Sequence, residues 1–384
     1  MNSLKTHGIR KVRTPAGDEA WVVTSYPLGR ALLADSRLGR SHPAAGQAPR
    51  YSTSPLFGRP WGAPEDERQE HDRFRRLLSR SFGPGRMERL RPAVGAVVTR
   101  CLEELGAADR PADLHRLVCR PLPVRVMCLM LGVPEADFDR FAGWADAWTS
   151  IADPDAARTG QAALLEYFAS LVEQRSGDLG SDIISDLIRC GSTTEEVTAR
   201  EIVALSATLL FAGYETTVAA LDKAMLLLLS HPQAYRALGR DAATRSAAVE
   251  ETLRFANVLP AEEENRHLGI VRYAHDDVAI DDGSGLVVRK GDLVMIQKLK
   301  CNQDTAEFTC PNVFDISRHP NRHLTFGHGR RYCPGAPLAR LEMEELFERL
   351  PMCFPRLRLA VDVSDVRRVP KRLTPQAEAL PVTW

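Results

Sequence analysis

"FGHGRRYCPGAPLARLE", residues 326–342, is the stretch on which the reading of this chain turns. Gly327 and Gly329 flank a histidine, two arginines precede Cys333, and Pro334-Gly335 leads into apolar residues at helical spacing. Pro337 suits the first turn of that helix, where a backbone N–H would have no partner within the helix. A cysteine in such a turn can be a buried thiol, a redox thiol, a nucleophile or a metal ligand. The positive end of a helix and its free N–H groups lower a thiol pKa and favour the thiolate. Gly327, Gly329 and Gly335 allow the backbone to approach a flat, bulky partner, and Arg331 can reach an anion carried on that partner. A metal in a planar macrocycle bearing carboxylates, such as haem, meets every one of these conditions.

The rest of the chain narrows the setting. Eight cysteines occur in 384 residues without CxxC or CxxH spacing, which argues against zinc and a disulfide framework and for a reducing cytosol. Lys+Arg and Asp+Glu balance at 50 each, so no net field recruits nucleic acid or an anionic membrane. The start of the chain carries no apolar run resembling a signal or anchor. The most apolar stretch, Ile202 to Leu229, contains Glu215, Asp222 and Lys223, which suits a buried helix better than a membrane span. A cytoplasmic protein with a small-molecule substrate is expected, with neither nucleic acid nor membrane as partner.

Helical periodicity dominates the first two-thirds. It is clear in "PLGRALLAD", "DRFRRLLSRSF", "RMERLRPAVGAVVTRCLEEL" and "PLPVRVMCLMLG". The longest predicted helix starts near Thr193, on a Thr-x-Glu pattern, and stops before His231-Pro232. A further helix follows near "RSAAVEETLRFA". The segment "VRYAHDDVAIDDGSGLVVRKGDLVMIQKLK" then alternates and turns on "DDGSG" and "KGD", which predicts hairpins. A last helix is expected from about Pro337 to Leu350. The fold class is mainly α with a small β region, and residues 1–384 read as a single domain.

On these residues a resemblance rests. Phe326, Gly329, Arg331, Cys333 and Gly335 match the haem-thiolate signature F-x-x-G-x-[R/H]-x-C-x-G, and "LAR" follows at 338–340. The chain therefore resembles the cytochrome P-450 family, of the soluble bacterial type. "AGYETT", residues 212–217, is similar to that family's A-G-x-[D/E]-T-T, and "EETLR" to its E-x-x-R. The resemblance implies a long central helix over haem b (iron protoporphyrin IX), with the cysteine loop beneath it. It assigns Cys333 as the iron ligand and Glu215 and Thr216 as the acid–alcohol pair for proton delivery. Partners for the haem carboxylates are His71, Arg75, Arg272, His323 and Arg331, with Phe326, Gly329 and Gly335 shaping the loop. Glu251, Arg254 and Arg318 form a structural triad that braces it.

Two departures stand out. The usual D-P-P-E-H of bacterial members is replaced by "DERQEH" before the first helix histidine. The segment between Arg254 and Arg272 is longer than is common, so Arg266 competes with Arg272, and Glu262, Glu263 and Glu264 face either a substrate cavity or solvent. Tyr51, Phe57, Trp61, Trp144 and Trp148 are candidates for a substrate pocket or for core. By resemblance the chain is an O₂-activating monooxygenase that hydroxylates or epoxidises a small organic molecule, a bacterial secondary metabolite. Alternatives are oxidative C–C or C–O coupling without oxygen insertion, and a haem protein that binds without turnover. No flavin, nicotinamide or iron–sulfur motif occurs in the chain, so a separate ferredoxin and ferredoxin reductase are expected to supply electrons.

Overall fold

The computed structural model describes residues 8–51, 60, 62–149, 153–191, 197–255, 269–370 and 374–384. The chain divides into two compact units, one of residues 1–76 with 253–333, the other of 77–252 with 334–384.

The first unit is built on a five-stranded sheet in the order Ile9–Arg13, Glu19–Val23, Leu293–Ile296, Ile270–Ala274, Leu38–Gly39. Period-two alternation drives it. Trp21, Val23, Val294 and Ile296 join a cluster with Tyr26, Leu33, Phe308 and Leu324. Their neighbours Ala20, Val22, Leu293 and Met295 pack with Tyr51 and Tyr273 in a separate cluster. A sheet covered on both faces reads as continuous apolar runs, as "WVV" and "LVMI" do. The predicted hairpins are present and nested. Ile270–Ala274 pairs antiparallel with Leu293–Ile296, placing Arg272 opposite Val294, and Val278–Ala279 pairs with Val287–Val288 inside that loop. Both glycines of "DDGSG" take positive φ, as the turn demands.

The second unit is helical, with Pro84–Gly106, Pro121–Leu131, Pro154–Gly177, Ala199–Ser230 and Ala336–Cys353 as its main rods. The Ala199–Ser230 helix opens on a capping box. The Thr198 hydroxyl accepts from the Glu201 amide at 3.2 Å, and the Glu201 carboxylate accepts from the Thr198 amide at 2.8 Å. The cap expected near Thr193 falls on residues 192–196, outside the described residues. The helix stops at His231, ahead of Pro232, as its sequence requires. It is long and apolar enough to cross a membrane, but 56% of its most apolar window is buried inside the protein. Its buried Asp222 meets His115 Nδ1 at 2.9 Å and accepts the Ala377 amide at 2.9 Å. The charges within the apolar stretch thus have internal partners. The last helix runs to Cys353, about one turn beyond the expected Leu350.

Candidate cofactor site

The cysteine loop is a compact turn with its own hydrogen bonds. The Cys333 amide donates to the Phe326 carbonyl at 2.9 Å, Gly327 N to Leu324 O at 2.9 Å, and Tyr332 N to Gly329 O at 3.0 Å. Gly329 has φ +69°, and a Cβ there would lie 2.8 Å from the Ala34 Cα. Only glycine fits both the handedness and the contact. The Phe326 ring sits between His323 and Tyr332, with centroids 5.9 and 6.2 Å away. Cys333 is half-buried and three residues ahead of the last helix, whose first turn no side chain caps. Among the described residues no group of three or more His, Cys, Asp or Glu could hold a metal ion.

Cations gather beside this loop. Arg272 is buried on its strand, and burial, then the charges of Arg40 and Arg331, push it down to about 9. Burial of its guanidinium and the Arg331 charge likewise lower Arg40, although the residue as a whole is exposed. His71 is pushed down to about 4 by burial and by Arg331 and Arg75, so it is neutral at pH 7. Glu67 answers this charge, with Arg331 Nη2 2.5 Å from its Oε1. Arg75 Nη1 donates to the Tyr332 carbonyl at 2.8 Å, next to Cys333. Arg330 pairs with Asp72. His323 is buried, and its Nδ1 accepts from the Thr325 amide at 3.3 Å. The reading of sequence missed Arg40 and Glu67. Glu67 lies in the "DERQEH" departure, and a carboxylate one helical turn before His71 was the available signal.

Arg254 and Arg318 act on one segment. Arg254 is fully buried and donates to the carbonyls of Asn302 and Pro311, both at 2.9 Å. Arg318 donates to Thr309 O at 2.8 Å and shares the Val313 carbonyl with Arg254, at 3.3 and 3.4 Å. Glu251 is buried one turn earlier on the helix Ala242–Arg254. Arg340 of "LAR" holds Glu250 through two bonds of 2.6 and 2.9 Å.

On the long helix, Ala204, Thr208, Ala212 and Thr216 recur every four residues as a half-exposed to exposed stripe of small side chains. The stripe crosses a helix that is otherwise largely core. The Thr216 hydroxyl donates to the Ala212 carbonyl at 2.7 Å, and Thr217 to Gly213 at 2.6 Å. Such back-bonds tie up the hydroxyls within the helix and tend to bend it. Glu215 points elsewhere. It is buried, and its Oε1 accepts from the Thr374 amide at 3.3 Å. Neighbours in sequence, the two side chains leave the helix in different directions.

Three of the sequence candidates have ring or core contacts. Trp148 lies 4.8 Å from Phe211 with the rings tilted, Trp144 lies against Tyr167 and Arg140, and Tyr51 belongs to the sheet core. Phe57, Trp61, Glu262, Glu263, Glu264 and Arg266 lie outside the described residues.

These residues fit haem. One cysteine at a glycine-built loop, three mutually repelling arginines with Glu67 among them, and a neutral histidine suit a metal macrocycle carrying two acids. Comparison with known proteins agrees. The cytochrome P-450 family model matches residues 150–244 and 245–354. The chain is 34% identical to mycinamicin IV hydroxylase/epoxidase of Micromonospora griseorubida, over 99% of this chain and 93% of that protein. It is 36% identical to pentalenolactone synthase of Streptomyces exfoliatus, over 100% and 95%. Among solved structures, the LnmA cytochrome P-450 hydroxylase of the leinamycin pathway of Streptomyces atroolivaceus S-140 superposes with TM-score 0.88 at 32% identity. That match covers 99% of this chain and 94% of the other. A signature read from five residues, a helical body with a small sheet and full-length relatives converge: this chain belongs to the cytochrome P-450 family.

Proposed function

We propose that residues 1–384 form one catalytic domain that hydroxylates or epoxidises a small organic product of bacterial secondary metabolism in the cytoplasm. The substrate class is drawn from the relatives, a mycinamicin IV hydroxylase/epoxidase and a leinamycin-pathway hydroxylase. The observation that carries the reading is the cysteine loop, closed by the Cys333 N–H to Phe326 C=O bond at 2.9 Å and flanked by cations. Cys333 is the iron ligand. Arg40, Arg272 and Arg331 receive the two haem carboxylates, with neutral His71 as a hydrogen-bonding neighbour. Haem, when bound, would supply the oxidising chemistry, with Cys333 as its thiolate donor.

The chain's own residues hold, orient and protonate. Arg254 and Arg318 fix the segment around Val313, which stiffens the approach to the loop. Thr216 offers a hydroxyl on the accessible stripe of the long helix, where it can pass a proton once its bond to Ala212 rearranges. Glu215, buried one residue before Thr216 and held at Oε1 by the Thr374 amide at 3.3 Å, is the acid that accompanies it. A separate ferredoxin and its reductase deliver electrons, docking on the arginine-rich face of the cysteine loop.

The test is the absorption spectrum of the reduced protein with carbon monoxide, for wild type and Cys333→Ser. A strongly red-shifted Soret band that the variant loses is expected. A histidine-type spectrum in both would end the reading. Product mass then separates the outcomes: oxygenation adds one oxygen, whereas coupling removes two hydrogens.

A further inference from the structure

Glu67 is the most heavily bonded carboxylate near the cysteine loop, and the assignments above give it no role beyond a counter-charge. It stands in the first turn of the helix Pro64–Ser79, with its side chain 9% exposed. Oε1 accepts from the Arg40 amide at 2.7 Å and meets Arg331 Nη2 at 2.5 Å. Oε2 accepts from the Ser41 amide at 2.9 Å and from the Ser41 hydroxyl, and lies 3.5 Å from His275 Nε2. Gly39 leaves the room for this. A Cβ there would come within 2.4 Å of Glu67 Oε2 and 2.2 Å of His275 Cε1. Three other segments therefore converge on one carboxylate. Burial works to raise it, but the Ser41 and Arg40 bonds and the Arg331 charge outweigh burial and keep it ionised.

Charge gives the arrangement a purpose. Arg40, Arg272 and Arg331 carry positive charges near one another, and Glu67 acts on both Arg40 and Arg272 while holding Arg331 Nη2 at 2.5 Å. We propose that Glu67 is a positioning residue for the cofactor, aiming Arg331 and offsetting part of the positive charge that faces the haem carboxylates. The inference rests on the haem-thiolate reading above.

Glu67→Gln keeps the size of the side chain and removes its charge. The uncompensated cradle then favours the reduced, less positive iron, so the midpoint potential moves to more positive values. Glu67→Asp keeps the charge and should return the potential towards wild type. Arg331→Gln carries the same test with opposite sign and should move the potential to more negative values. Potentiometric titration of the purified holoproteins, each checked by its carbon monoxide spectrum, reads all three. Wild-type potentials in Glu67→Gln and Arg331→Gln, with thiolate spectra intact, would reduce Glu67 to a packing residue and overturn the proposal. Where Glu67→Gln does not fold, the sign of the Arg331→Gln shift decides. Failure of the underlying reading looks different: wild type itself would lack the red-shifted band.

Discussion

Arg254 and Asn302 hold each other twice. The guanidinium donates to the Asn302 backbone carbonyl at 2.9 Å, and the Asn302 amide donates back to the Arg254 carbonyl at 3.3 Å. Asn302 also accepts from the Leu324 amide at 2.7 Å and donates to Thr325 Oγ1 at 3.0 Å. One buried side chain thus links the end of the helix Ala242–Arg254 to the residues that lead into the cysteine loop. Asn302→Ala strands these groups, each at a cost of about 1–3 kcal/mol. A fall in the urea midpoint and faster loss of haem to a scavenger are expected together. Lower stability with unchanged haem loss would separate the brace from the loop.

Gly329 tests the loop directly. Alanine there must adopt a left-handed backbone, disfavoured by roughly 1–2 kcal/mol, and collide with Ala34. Gly329→Ala is expected to lower haem content, measured as the Soret-to-protein absorbance ratio. Gly17→Ala makes the control, since its φ is also positive but nothing lies within 4 Å. It should lose some stability and keep its haem.

The His115–Asp222 pair predicts a pH dependence of stability. Burial lowers the His115 pKa, but the bond to Asp222 and the charges of Asp222 and Asp113 outweigh it and raise the pKa above 6.5. A raised folded-state value means that the stabilisation is complete below 6.5 and is lost as pH rises through the folded value. Tm should therefore fall across that window in wild type more steeply than in His115→Gln. Asp222→Asn breaks a buried pair and should cost about 3–5 kcal/mol. Parallel Tm–pH curves for wild type and His115→Gln would show that the pair does not titrate there.

Glu342 gives the opposite lesson about buried charge. It is 1% exposed, its Oε2 has no hydrogen-bond partner among the described residues, and burial raises its pKa to about 8. Between its ordinary value of 4.5 and about 8 the folded state holds a proton that the unfolded state has released. Stability must fall with rising pH over that range. Glu342→Gln removes the penalty and should raise Tm at pH 8 more than at pH 5. Equal shifts at both pH values would mean that Glu342 does not titrate in this range.

Seventeen residues, 326–342, carried the family in the sequence alone, because a thiolate facing a flat cofactor constrains residue types at fixed spacing. Helix and hairpin content was equally legible, since apolar periods of 3.6 and 2 are local properties of "RMERLRPAVGAVVTRCLEEL" and "DLVMI". Tertiary structure decided where charges went. Glu215 and Thr216 are adjacent in sequence, yet one side chain turns to Thr374 and the other to its own helix. Arg40, Glu67, Arg272 and Arg331 lie up to 291 residues apart and share one electrostatic cluster. No local pattern marks Arg40, and only its place one turn before His71 marks Glu67, because a charge acts through space on whatever the fold brings near it. Sequence spacing records only neighbours along the chain, and packing of the sheet against its loops chose the rest.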